Sequence, residues 1–262
     1  MNIFKRELRA GFKPFILWTA GMFFLCYAGI IKYESFTVSD SMTELLNSFP
    51  RIVLAVMGAV GIDISTLGGY TALLFYYVLI CVVIYAVHLG SSAVTRESVD
   101  RTYEFVFVKP RTRTYVLFMK LASAYLLLFA FCVCNGLFAM MAVEYLKVHD
   151  NITVQIWLCS LSVFLIGSLF IALAAFFASA VKQPEKGSLY GNIAFLYAFL
   201  LGVAYNMLES PGVLRLISPF NYFASADLVA NKLELLYIAL TLSLTAFLLY
   251  GTNRNFAAKD LL

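Results

Sequence analysis

The chain contains few charged residues. Of its 262 residues, only 13% are charged, whereas 62% are hydrophobic and 16% are aromatic, and the mean hydropathy is +0.85. Soluble domains average about 25% charged and about 45–50% apolar residues. The composition therefore excludes a soluble globular protein. The few charges are also clustered, and six long stretches lack Asp, Glu, Lys and Arg altogether. The sequence predicts a multi-spanning membrane protein.

The sequence also lacks the motifs of enzymes and ion-driven carriers. No G-x-x-x-x-G-K-[ST] loop is present to bind phosphates, and no G-x-S-x-G motif occurs. Cys132 and Cys134 form a C-x-C pair without a second pair or a nearby His, which argues against zinc. No apolar stretch contains an acidic residue, whereas secondary carriers normally place carboxylates or broken helices in the membrane. We therefore expect no catalytic, cofactor or metal site in this chain.

The six uncharged stretches are long enough to cross a bilayer as helices, which requires about 20 residues. They cover residues 14–31, 71–94, 121–143, 156–181, 189–208 and 235–251. Strands of a membrane barrel would alternate in polarity, whereas these runs are apolar on every face. We predict an all-α membrane protein in which residues 1–262 form one transmembrane domain.

The basic residues indicate the orientation. If the N-terminus is inside, fourteen of the nineteen Lys and Arg residues lie on the inner side and five on the outer side. The positive-inside rule then places both termini in the cytoplasm and the protein in the cell (inner or plasma) membrane. The net charge of +4 consequently reflects topology, and no nucleic-acid partner is expected.

The segments outside the spans have recognisable patterns. Phe4, Leu8 and Phe12 recur every four residues among basic side chains, which predicts an amphipathic helix over residues 1–13 at the inner membrane surface. A simple solvated basic start is an equally good interpretation. The outer loops 32–70 and 209–234 are semi-apolar and predict short helices, and the second loop could dip back into the membrane where protein covers its backbone.

The most informative segment lies between the second and third spans. Residues 95–120 carry six basic and three acidic side chains and must lie outside the hydrocarbon core. At 100° per residue, Glu97, Arg101 and Glu104 share one side of a helix over residues 96–109, and Pro110 ends it. The pattern predicts a short cytoplasmic lever joined to two spans. A helix that merely rests on anionic lipid would explain the same pattern.

The order Glu97, Thr102, Glu104, Pro110, Arg113 and Lys120 resembles the pattern that follows the second span of type-2 ABC exporter permeases. Tyr103 stands where Leu is more usual in that family, and Arg101 stands where many members have Gly. The resemblance continues in the basic amphipathic start, the six spans and the loop Ser218-Pro219-Phe220. It implies that segment 95–113 is a coupling helix. The implied ATPase-coupling residues are Arg96, Glu97, Arg101, Thr102, Glu104, Pro110 and Arg113. Among these, Glu97, Arg101 and Glu104 would dock and orient the ATPase, and Pro110 would set the turn.

The resemblance also implies partners. ATP and magnesium would bind a separate ABC ATPase subunit. Six spans form half of a pathway in this class, which implies a second permease chain in a homodimer, surrounded by membrane lipid. We expect an exporter that moves a hydrophobic or amphipathic substrate (a peptide, a lipid or a drug, as in peptide export or multidrug resistance) by alternating access. A non-transporting membrane scaffold or immunity subunit is the main alternative, and a secondary carrier is a weaker one.

Overall fold

The computed structural model describes residues 3–33, 35, 48–99, 112–148, 151–183, 186–208 and 213–258. Six of its helices are long and apolar enough to cross a membrane. They are α1 (Ile3–Ile31), α3 (Leu67–Val99), α4 (Arg113–Leu146), α5 (Thr153–Ala180), α6 (Gly187–Met207) and α9 (Leu235–Ala258). The described residues contain no strand, and the prediction of an all-α protein with six membrane helices is confirmed.

Several helices extend further than their apolar stretches. The second stretch, predicted at 71–94, belongs to the 33-residue helix Leu67–Val99, and the third, predicted at 121–143, belongs to the 34-residue helix Arg113–Leu146. An uncharged stretch ends at the first charged residue, whereas the helical backbone hydrogen bonds continue beyond that residue. The predicted separate helix 96–109 is therefore wrong at its start, because residues 96–99 are the last turn of α3. Residues 100–111 lie outside the described part of the chain.

The N-terminal region also differs from the prediction. We expected a separate amphipathic helix over residues 1–13, but the helix that begins at Ile3 continues through Pro14 to Phe23. A π-helical turn, Phe24–Ala28, and a last turn, Gly29–Ile31, complete α1. Membrane helices tolerate an internal proline because neighbouring groups and local adjustments satisfy the freed backbone.

The centre of the bundle is α5, which packs most extensively against α3. Gly90 makes this contact possible, because a Cβ at that position would lie 2.3 Å from the carbonyl oxygen of Ile171 in α5. Small residues permit such close backbone approach between membrane helices. Near the other end of the pair, the Gln155 side chain of α5 donates to the carbonyl of Gly68 at 2.7 Å. The two most buried helices therefore form a rigid axis.

The loops at one end of the bundle contain short helices: α2 (Arg51–Met57), α7 (Leu214–Ile217), a 3-10 turn (Pro219–Asn221) and α8 (Ser225–Val229). The Phe220 ring contacts the rings of Phe170 in α5 and of Phe195 and Phe199 in α6, at 5.8–6.0 Å between centroids. Phe195 lies roughly three helical turns before the end of α6 at Met207. The loop between α6 and α9 therefore reaches back into the bundle.

The backbone of this re-entrant loop is satisfied by protein groups. Arg215 donates to the carbonyls of Asn221 and Tyr222, at 3.1 and 3.4 Å, and forms ion pairs with Asp227 and Glu234, at 2.7 and 3.2 Å. Burial lowers the pKa of Arg215, but the hydrogen bond to Asp227 and the nearby negative charges outweigh it and raise that pKa overall. An irregular backbone that packs against other protein elements requires this kind of internal pairing.

Candidate functional site: a charge cluster at one end of the bundle

Among the described residues, five charged side chains meet at the end of the bundle opposite the re-entrant loop. They are Arg6 and Glu7 of α1, Arg96 and Glu97 of α3, and Lys120 of α4. We refer to these five residues as the charge cluster. The cluster joins three membrane helices. It lies where α3 ends at Val99, just before residues 100–111, and where α4 begins at Arg113, just after them.

Glu97 is the centre of the cluster. Its Oε1 accepts a hydrogen bond from Nη2 of Arg6 at 2.6 Å, and its Oε2 accepts one from the ammonium group of Lys120. Each carboxylate oxygen thus faces a cation from a different helix. A single side chain at the end of α3 consequently holds α1 on one side and α4 on the other.

Glu7 forms the second node. Its Oε1 accepts from Nη2 of Arg6 at 2.7 Å and from Nε at 3.2 Å, while its Oε2 accepts from Nη1 of Arg96 at 3.0 Å. Nη2 of Arg6 therefore donates to both carboxylates. With three cations and two anions, the cluster has a formal charge of +1.

The cluster is largely shielded from solvent. Lys120 is 1% exposed, and Glu7 and Glu97 are each 6% exposed, while the two arginine side chains form its outer edge. Removing one partner of a buried ion pair typically costs 3–5 kcal/mol, whereas replacing the whole pair with apolar groups is often neutral or stabilising. Stability alone therefore does not explain such a cluster. Ionisable residues within membrane helices are by default candidates for a functional role.

The structure brings together two of the seven residues that the sequence analysis singled out, Arg96 and Glu97. Glu97 was expected on an exposed docking face next to Arg101, but within the described residues its carboxylate is buried and pairs with Arg6 and Lys120. Arg113 is not one of these five residues and is exposed in the first turn of α4. Thr112 caps that helix by accepting from the backbone N–H of Tyr115 at 3.3 Å. The other predicted site residues, Arg101, Thr102, Glu104 and Pro110, lie outside the described residues.

Lys120 stands in the family pattern, but neither it nor Arg6 nor Glu7 was among the predicted coupling residues. Lys120 did carry a signal, because it directly precedes a long uncharged run and shares the helical face of the buried residues Val116 and Ala124. Glu7 lies one turn before Gly11 on the same face of α1. Since Gly11 packs against Leu127 of α4, Glu7 also lies on a packed helical face. A charge on the packed face of a helix needs a partner. The pairing itself spans 91 positions between Arg6 and Glu97 and could not be predicted from local patterns.

A bundle of six apolar helices, with charged residues joined at one end and a loop that reaches back into the bundle at the other, has the architecture of a multi-pass membrane protein. Residues 1–250 match the family model described as ABC-2 family transporter protein, and the chain belongs to this family. It is therefore a membrane permease of an ABC transporter, a transmembrane component distinct from the ATPase. Permeases of this family normally work with a separate ATPase subunit. No curated protein matches the chain.

Proposed function

We propose that this chain is the permease of an ABC exporter and that the charge cluster transmits the movement of the ATPase to the membrane helices. The observation that carries the proposal is the position of Glu97. It lies two residues before the end of α3, next to the segment that resembles a coupling helix, and it pairs with both α1 and α4. A displacement of that segment would thus reach three helices together.

Lys120, the cation through which α4 pairs with Glu97, supports this role. Lys120 lies two turns into α4 and is almost completely buried, so the two helices flanking residues 100–111 are held to each other by an ion pair rather than by apolar packing alone. Packed elements of this kind switch between discrete arrangements instead of deforming continuously. ATP and magnesium would act on the partner subunit, whose closure the cluster would convert into helix movement and alternating access.

The exposed apolar helices support the assembly and the class of substrate that we propose. In an 18-residue apolar segment of each helix, only 22% is buried in α6 and in α9 and 17% in α1, compared with 72% in α5. These faces leave room for a second copy of the chain in a homodimer and for lipid. A pathway between such faces suits a hydrophobic or amphipathic substrate, namely a peptide, a lipid or a drug. We further propose that the charge cluster lies on the cytoplasmic side, with both termini, in the inner or plasma membrane.

The decisive experiment compares ATP hydrolysis with transport. The permease and its ATPase would be co-purified and reconstituted into vesicles, and ATPase activity and uptake of a fluorescent amphipathic peptide, a lipid and a dye would be measured for the wild type and for Glu97→Gln. We expect the complex to remain intact and ATP hydrolysis to continue without transport. Lys182→Met, at an exposed position near the same end of the bundle, is the matched control and should retain both activities.

Three outcomes would contradict the proposal. If Glu97→Gln transports as well as Lys182→Met, the cluster does not transmit movement. If the wild type binds the ATPase but none of the three substrates stimulates hydrolysis or moves, the chain is better explained as a scaffold or immunity subunit. Transport that follows an ion gradient without ATP would instead indicate a secondary carrier.

A further inference from the structure

We propose that a groove between α4 and α9 binds one acyl chain of an anionic phospholipid, with the headgroup held at Arg113 and Arg254. The groove has a volume of about 400 Å³, within the range of roughly 300–1,000 Å³ that ligand pockets occupy. The main lining side chains are Leu117, Phe118, Leu121 and Tyr125 of α4 and Leu249 and Tyr250 of α9. The proposal is independent of the charge cluster, which involves other side chains.

The groove has a closed floor and an open side. Leu117 and Leu121 are 2% and 8% exposed and form the floor, whereas Phe118 and Tyr250 are 64% and 69% exposed and form the rim. Behind the floor, the Tyr125 hydroxyl donates to the carbonyl of Ser168 in α5 at 3.1 Å, which fixes the ring against the central helix. The apolar lining is therefore accessible from the outside of the bundle, where lipid lies.

The groove extends along α4 from Thr114 to Tyr125, which is roughly 16 Å at 1.5 Å per residue. Its deeper part, from Leu121 onward, belongs to the uncharged stretch 121–143, whereas its shallower part precedes that stretch. The groove therefore crosses the boundary between the headgroup region and the hydrocarbon core. An acyl chain that enters from one leaflet would fill the groove without crossing the midplane.

The charges lie where a headgroup would be. Thr114 and Asn253 form the more polar end of the groove, and the neighbouring residues in sequence, Arg113 and Arg254, are both exposed. Basic side chains at the membrane surface attract anionic lipids. The combination of an apolar groove that crosses the membrane boundary with two arginines at its shallow end is complementary to an anionic phospholipid and has no equivalent complementarity to a zwitterionic one.

The test is photo-crosslinking. The full chain would be reconstituted into nanodiscs that contain phosphatidylglycerol or phosphatidylcholine with a diazirine in the acyl chain, irradiated, digested and analysed by mass spectrometry. We expect labels on residues 114–125 and 249–253, with a preference for phosphatidylglycerol. Arg254→Gln should reduce that preference about fivefold, the factor expected for one arginine near a charged surface. Ala122→Trp, which fills the groove, should abolish labelling there, whereas Ile193→Trp on the exposed face of α6 should not.

The remaining outcomes would overturn the proposal. Equal labelling by both lipids, or a preference that Arg254→Gln leaves unchanged, would show that the arginines do not select the headgroup. Crosslinks to a second copy of the chain at these positions would assign the groove to an interface. Displacement of the label by an amphipathic peptide irrespective of lipid charge would assign the groove to transported substrate. Because Arg254 is exposed, its substitution tests the idea even if Ala122→Trp does not fold.

Discussion

Nη2 of Arg6 donates to Oε1 of Glu97 at 2.6 Å, across 91 positions of sequence. This contact makes the first turns of α1 part of the same unit as the end of α3. The N-terminal residues therefore do not form an independent surface helix. They are held in the bundle by a carboxylate that also binds Lys120 of α4.

The first prediction concerns the energetics of the pair formed by Glu97 and Lys120. We expect Glu97→Gln and Lys120→Met each to destabilise the bundle by about 3–5 kcal/mol, because each leaves a buried charge with one partner fewer. The double variant should recover much of this loss, since both buried charges of the pair are gone. Thermal unfolding of the purified chain in detergent, followed by fluorescence, would measure the differences.

The double variant also separates stability from function. If the pair transmits movement, the double variant should be nearly as stable as the wild type and still fail to couple ATP hydrolysis to transport. Lys120→Arg, which keeps the positive charge, should retain part of the coupling. Strictly additive destabilisation in the double variant would show that the two side chains do not interact.

The second prediction concerns topology. We expect the end of the bundle that carries the charge cluster to face the cytoplasm, because the basic residues are concentrated there. In a background without the five native cysteines, Lys232→Cys should react with an impermeant thiol reagent applied to intact cells, and Lys182→Cys only after permeabilisation. Both positions are exposed and lie at opposite ends of the bundle. Labelling of Lys182→Cys in intact cells would reverse the orientation.

The third prediction concerns the re-entrant loop. Arg215 connects two backbone carbonyls, two carboxylates and the ring of Tyr237, whose centroid lies 4.4 Å from the guanidinium carbon. Arg215→Lys should not replace it, because an ammonium group lacks the planar fork of donors. We expect hydrogen exchange over residues 213–231 to accelerate in Arg215→Lys and more so in Arg215→Gln. Lys232→Gln, at a nearby exposed position, is the control and should leave the exchange unchanged.

Some features of this fold are local in sequence, whereas others depend on contacts between distant segments. The six membrane helices followed from uncharged runs, because a bilayer penalises charge in each segment independently of the others. Helix ends did not follow, since Lys13 and Arg96 bound the uncharged stretches without ending the helical backbone hydrogen bonding. Of the charge cluster, Glu97 and Lys120 were recognised by their place in a family pattern, and Arg96 was implied as a coupling residue. How these residues pair depends on how α1 and α4 approach α3, which no local pattern specifies.

The last prediction concerns the central axis of the bundle, where glycine is required for space. A Cβ at Gly90 would lie 2.3 Å from the backbone oxygen of Ile171, so Gly90→Ala must push α3 and α5 apart. Overpacking of this kind typically costs 1–3 kcal/mol. Gly21 of α1 is the matched control, because nothing lies within 4 Å of a Cβ built there. Since alanine favours the helix over glycine by about 0.8–1.0 kcal/mol, Gly21→Ala should be neutral or stabilising. Melting temperatures of the two variants in the same detergent would measure the difference, and equal values would show that α3 and α5 are not in close backbone contact at Gly90.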